Sequence, residues 1–200
     1  MGKIINVSEI TILHREAIIT WKAYEILLHA SNASDFLGLV EQNHAFNYRL
    51  WHAEDKARRE DMGHTFVYQA KREIDGHNQK RNDCMEAMDD YLIELLKPAA
   101  PDMCVVHSET PGMMIDRLSI LALKQYHMTE QTVRQDVDDV HRAECLEKLG
   151  VIDAQIIQLS TCLSDLLQEV LQQTRTFRVY RQFKMYNSVQ LNPELYANET

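Results

Sequence analysis

The sequence predicts an all-α fold, a mostly antiparallel bundle of about five long helices. Three observations predict it. Glycine and proline are scarce, six and four in 200 residues, so the chain has few places to turn. Apolar residues recur at three- and four-residue intervals over long stretches. No segment shows strand-like alternation, and no repeat or low-complexity block competes. This length suits one domain. Residues 1–187 are expected to form a single helical bundle and residues 188–200 an irregular tail.

Each element has its own signals. Ser8 is the expected cap of a first helix reaching about Ala30, with Ile10, Leu13, Ala17, Trp21, Tyr24 and Leu28 on one stripe. Asn32 or Ser34 then caps a second helix that ends near Arg59. A third helix spans about His64 to Leu96 and stops at Lys97 and Pro98. "PAAPDMCVVHSE" is the long irregular connection. Thr110 followed by Pro111 starts a fourth helix, expected to reach Leu149 with Gly150 as its stop. A last helix begins near Val151. Its apolar residues Ile152, Ile156, Leu159, Leu163, Leu166 and Val170 keep a 4–3 spacing, the seam of a helix packed lengthwise; the step to Phe177 breaks it. That seam also offers a surface for a homo-oligomer.

Composition narrows the function classes. Apolar residues make up 45% and charged residues 26%, as in an ordinary globular chain. A net charge of −9 and a pI near 5.4 disfavour nucleic acid, which needs a basic face. One basic segment stands apart, at the expected end of the last helix. There Arg175, Arg178, Arg181 and Lys184 recur with Phe177, Tyr180 and Phe183 between them. It reads as a surface face complementing the helix C-terminus and the acidic rest, or as a phosphate-facing wall. Cys84, Cys104, Cys145 and Cys162 form no CxxC pair, and reduced thiols in a cytoplasmic protein are expected. "MGKIINVSEI" has no apolar signal core and carries Asn6 where the myristoylation pattern needs Ser or Thr. No apolar run is long enough to span a membrane.

Polar residues interrupt the core stripes at three places. On the third helix Val67, Ile74, Met85, Leu92 and Leu96 share a narrow band at 100° per residue. Asn78 and Arg81 fall in that band, with Asp75 and Asn82 at its margin. On the second helix Phe36, Leu39, Phe46, Leu50 and Ala57 mark the buried face. Asn43, Asn47, Glu54 and Arg58 lie beside it, with His44, Trp51 and Asp55 further round. The segment "IDRLSILALKQYHM" is apolar on almost every side, yet contains Asp116, Arg117, Lys124 and His127 in one sector. Isolated burial of such groups would cost several kcal/mol, so a bonded network or a lined cavity is expected. The three interruptions are placed to meet.

"NHAFNYRLWHAEDKARRE", "AKREIDGHNQKRNDCMEAMDDYL", "SETPGMMIDRLSILALKQYHMTEQ" and "YRQFKMYNSVQLNP" together resemble the bacterial family catalogued only as domain of unknown function 4254. The motifs are W-H-x-E-D, I-D-x-x-N-Q-x-R-N-D and E-T-P-G-x-x-I-D-R-L-S-I-L, and the resemblance covers roughly residues 35–193. It implies an all-helical protein and assigns no reaction. His77 stands where the family pattern has an apolar residue and is given no site role.

Three readings stay open. In the first, a small anionic ligand such as a sugar phosphate or nucleotide-sugar occupies a pocket between helices. Arg58, Arg81, Arg117 and Lys124 would hold its phosphate, while Asn43, Asn47, Asn78 and Asn82 read hydroxyls and Trp51 stacks. His52, Glu54, Asp55, Asp75, Asp116 and His127 complete that candidate set. In the second, the same groups satisfy one another and fix helix register, in a structural or interaction protein. In the third, the chain is a metal-dependent bundle enzyme. Glu41 and His44 have the i,i+3 spacing of di-iron bundles, with His52, Glu54 and Asp55 as further ligands, but no second Glu-x-x-His exists. A Mg-type or other divalent site from Glu54, Asp55, Asp75 and Asp116 is the variant. His14, His29, His64, His107 and His141 are expected to face solvent or to be singly satisfied. Nucleophilic catalysis has little support: Ser119 is inside a helix, and no cysteine stands near a histidine in a recognisable context.

Overall fold

A computed structural model describes residues 5–24, 35–183, 190–192 and 194. Helix α1 (Val7–Ala23) is capped by Asn6, whose Oδ1 accepts the Ser8 N–H at 3.0 Å, so Ser8 is not the cap. It ends well short of Ala30, with Tyr24 extended. Trp21 is its last buried residue, and the exposed residues after it give no burial to support another turn. Leu28, His29, Asn32, Ser34 and Lys184 lie outside the described residues, as does most of the expected tail. Helix α2 (Phe36–Ala57) follows an extended Asp35 at the N-cap position. After a 3₁₀ turn at Glu60–Met62, Gly63 takes φ 86°, a conformation that suits glycine, and helix α3 (His64–Leu96) begins. It ends where Lys97 turns left-handed before Pro98, as expected.

The fourth helix departs from expectation. Helix α4 (Pro111–Thr132) starts with the Thr110 side chain accepting the Met113 N–H at 3.2 Å, but it stops well before Leu149. Helix α5 (Asp139–Leu171) begins instead at Asp138, whose Oδ1 accepts the His141 N–H at 2.8 Å. The break contains neither Gly nor Pro. Arg142 holds it by donating to the carbonyls of Arg134 and Val137, while Arg134 pairs with Asp136. Gly150 therefore lies inside α5, with nothing near its Cβ direction, and stops nothing.

The last helix also ends early. Gln173 takes φ 60° and the Thr174 N–H reaches back to the Glu169 carbonyl at 3.0 Å. Strand β2 (Arg175–Phe177) then pairs in parallel with strand β1 (Val105–His107), in register Val105 with Arg175 and His107 with Phe177. Both strands are too short to show alternation. The described part of the basic segment is thus strand β2 followed by non-helical chain, not a helical face. Arg175 pairs with Glu169, and Arg181 with Glu86 and Asp90 on α3.

Among the described residues the result is a five-helix bundle with one minimal ladder. α2 packs along α3 and α4 along α5, while α1 touches both α4 and α2. The short links 58–63 and 133–138 leave each long pair only an antiparallel arrangement. Ile10, Val40, Met88, Leu92, Ile115, Leu118, Leu163 and Val170 centre the core, and the 4–3 seam of α5 is spent inside the chain.

α4 is anchored to α3 at its first turn. The Gly112 N–H donates to Asp89 Oδ1 at 2.7 Å, and a Cβ at Gly112 would come within 2.5 Å of the Met85 carbonyl oxygen. Burial pushes the Asp89 carboxyl up to about 6, against the opposing hydrogen bonds from Thr110 and Gly112. This docking sets the position of Asp116 and Arg117 one turn later.

Candidate functional site

α1, α2, α3 and α4 each contribute to a buried polar chain. Asn43 and Asn47 donate Nδ2–H bonds to Asp116 Oδ1 at 3.0 and 2.9 Å. Asn47 Nδ2 also reaches Ser119 Oγ at 2.9 Å, and Ser119 Oγ lies 2.7 Å from His44 Nδ1. His44 Nε2 lies 2.9 Å from the His14 carbonyl oxygen. A carbonyl only accepts, so Nε2 carries the proton and Nδ1 accepts from the Ser119 hydroxyl. The hydroxyl is then free to accept from Asn47. One run of donors therefore leads from Asn47 through Ser119 and His44 to α1, and Asn47 also donates to Asp116. Arg81 closes its other end: its Nε lies 3.7 Å from Asp116 Oδ1 and has no hydrogen-bond partner among the described residues, while its carbonyl accepts from Asn43 at 3.4 Å.

Burial sets the protonation of this chain. Burial pushes His44 down to about 3, partly opposed by its hydrogen bond to the His14 backbone. His14 is fully buried against the His44 ring, 4.5 Å between centroids, and neither of its ring nitrogens has a hydrogen-bond partner among the described residues. Burial first, and His44 second, hold it well below its ordinary value. That corrects the expectation that His14 is exposed or singly satisfied.

The remaining candidates separate. Trp51 stacks on His127 at 4.6 Å and 9°, and His127 Nδ1 lies 3.1 Å from Glu130. His52 is exposed against Tyr48. Glu54 and Arg58 pair with each other near the end of α2, and Asp55 beside them is exposed. Asp75 is taken up by Lys71 and Arg72, and Asn82 bonds Gln182 at 3.4 Å. Asn78 is half-buried.

Arg117 and Lys124 face a different space. They line a groove of about 600 Å³ between α4 and α5, closed at one end by β1. Met114, Ile120, Leu121 and Leu159 supply its apolar surface, Gln155 and Gln158 amides, and His107, Glu109 and Cys162 its remaining polar groups. His107 is anchored through Nδ1, 2.7 Å from the Glu109 carbonyl oxygen. Arg117 Nη1 contacts Glu109, whereas Lys124 makes no ion pair among the described residues. Three charged residues of α4 thus divide: Asp116 turns into the bundle, and Arg117 and Lys124 turn toward α5.

The family model described as "Protein of unknown function (DUF4254)" matches residues 37–179. The chain belongs to this family. No curated protein and no solved structure matches it. The matched span of this DUF4254 protein holds both the buried chain from Asn43 to Ser119 and the groove.

The metal readings meet committed donors. Both His44 nitrogens are hydrogen-bonded, so the Glu41–His44 spacing presents no free imidazole lone pair, and Glu41 is itself engaged. Glu54 and Asp75 are ion-paired in separate places. Among the described residues, no group of three or more His, Cys, Asp or Glu side chains could hold a metal ion.

The structure adds groups that have no site role in the sequence. Ser119, dismissed there as a nucleophile, links Asn47 to His44, and Glu109, Gln155 and Gln158 line the groove. His141 and Cys145, four apart on α5, bring Nε2 and Sγ to 3.5 Å, which corrects the expectation that no cysteine stands near a histidine. Only that last pair had a readable signal, its i,i+4 spacing.

Proposed function

We propose that this protein binds a small anionic ligand, of the class of phosphorylated sugars or nucleotide-sugars, in the groove between α4 and α5. One observation carries the reading. In a chain of net charge −9, this groove gathers Arg117 and Lys124 against a single acid among the described residues, Glu109. Arginine and lysine hold phosphate oxygens, the Gln155 and Gln158 amides suit hydroxyls, and the apolar lining shields the contact from water. The groove's volume lies within the ordinary range for small-molecule sites. Asn43, Asn47 and Asp116 serve this site from behind. By fixing the rotation of α4, they keep Arg117 and Lys124 toward α5. The four unbridged cysteines support a reducing, cytoplasmic setting.

A second reading, a purely structural role, is favoured by the closed hydrogen bonding of Asn43, Asn47, Ser119 and His44. A thermal-shift panel separates the two. Phosphorylated sugars and nucleotide-sugars are expected to raise Tm by several degrees, and Lys124→Ala or Arg117→Ala to remove the shift. A flat response across the panel in the wild type would leave only the structural role.

A further inference from the structure

The two cations of the groove are held differently. Lys124 has no acidic partner among the described residues. Arg117 is already engaged by a carboxylate: both oxygens of Glu109 lie 2.8 Å from its Nη1. The contact is one-sided. Two parallel bonds across the guanidinium fork are the arrangement a carboxylate or phosphate prefers, and Glu109 instead places both oxygens on one nitrogen. Glu109 also stands on a short connector rather than on a helix. It precedes the Thr110 cap of α4, and its backbone meets the His107 ring at 2.7 and 3.2 Å. A small rotation of its side chain is enough to release Arg117, and neither helix needs to move.

We propose that Glu109 is a built-in competitor: its carboxylate occupies Arg117 and yields it when the phosphate of a ligand enters the groove. This rests on the groove being an anion site. Its consequence is selectivity. A singly charged carboxylate ligand merely replaces Glu109 with its equal, whereas a phosphate or diphosphate brings more charge and more acceptor oxygens to the guanidinium and to Lys124. Glu109 therefore weakens every anion but filters out the weak ones. Released, its carboxylate becomes an acceptor at the groove wall, available to a ligand hydroxyl.

The test compares the wild type with Glu109→Gln, which keeps size and removes the charge. Inorganic pyrophosphate and acetate are the calorimetric probes, and phenylglyoxal labelling of Arg117, read by peptide mass mapping, reports the guanidinium without any ligand. Glu109→Gln is expected to bind pyrophosphate about tenfold more tightly, to gain measurable acetate binding, and to label faster at Arg117. Both Glu109→Gln and Glu109→Ala should keep the wild-type Tm within a few degrees, since the pair is largely exposed. Equal pyrophosphate affinity in the wild type and Glu109→Gln, with binding still lost in Lys124→Ala, would overturn the competitor role and leave the groove standing. Failure of pyrophosphate to bind either protein would overturn the groove, and the competitor with it.

Discussion

Asp116 and Arg117 are chain neighbours, yet they answer to opposite sides of α4. Asp116 is 5% exposed and accepts from Asn43 and Asn47, while Arg117 lies at the groove with Glu109. Their loss should therefore be felt differently. Asn47→Leu removes donors from both Asp116 and Ser119, and is expected to cost about 2 kcal/mol or more in urea denaturation. Arg117→Ala should cost less than about 1 kcal/mol, because its ion pair is solvated. Equal losses would mean that the buried chain contributes little. The inward half of this arrangement was legible in the sequence, because 100° per residue aligns Asn43, Asn47, Arg81 and Asp116 with the apolar stripes. The outward half was not. Periodicity tells which face of a helix is wet, but not which neighbour a flank meets, so Arg117 and Lys124 were grouped with a network they do not join. Nor does spacing reveal that Ser119 and His44 would satisfy each other, a tertiary contact between helices far apart in the chain.

Helix boundaries were readable where local chemistry decides them. Thr110–Pro111 starts α4 and Lys97–Pro98 ends α3 as expected, and the broken step from Val170 to Phe177 falls where α5 has already stopped. The turn at 133–138 was not readable, since it depends on Arg142 reaching back to carbonyls that only the folded hairpin presents. Two glycines put this contrast to the test. Gly150 is helical with open space around it, so Gly150→Ala should stabilise the protein by about 0.5–1 kcal/mol. Gly112 meets the Met85 carbonyl and the Asp89 carboxylate, both within 3 Å of where a Cβ would sit. Gly112→Ala should destabilise by about 2 kcal/mol or more, by prising α4 from α3. Thermal melts of the two variants beside the wild type check both signs at once.

For the whole molecule, buried titratable groups pull stability in opposite directions with pH. His14 and His44 are held below their ordinary 6.5 in the folded chain. Below that pH the unfolded chain takes up protons that the folded chain does not, so their contribution is present above 6.5 and is lost on acidification. Asp89 runs the other way. Its folded value of about 6 exceeds the ordinary 3.8, so the folded chain keeps a proton that the unfolded chain releases. Its contribution is present below 3.8 and is lost as pH rises through 6. Asp89→Asn should therefore raise stability at pH 7 by up to about 3 kcal/mol, give no gain at pH 4, and steepen the acid loss between them. Urea midpoints across that range decide it. The β1–β2 ladder carries a last consequence. It ties the entry to α4 to the exit from α5, so Val105–Phe177 begins and ends at one place, like a loop drawn shut at its neck. The segment shares its core with α1, α2 and α3, so it is not separable, but its closed neck is a place where the chain could be re-joined in a new order. New termini introduced beside the ladder would leave both long helices uncut. Strain applied at either strand would reach the groove between α4 and α5 at the one end where α4 starts and α5 stops.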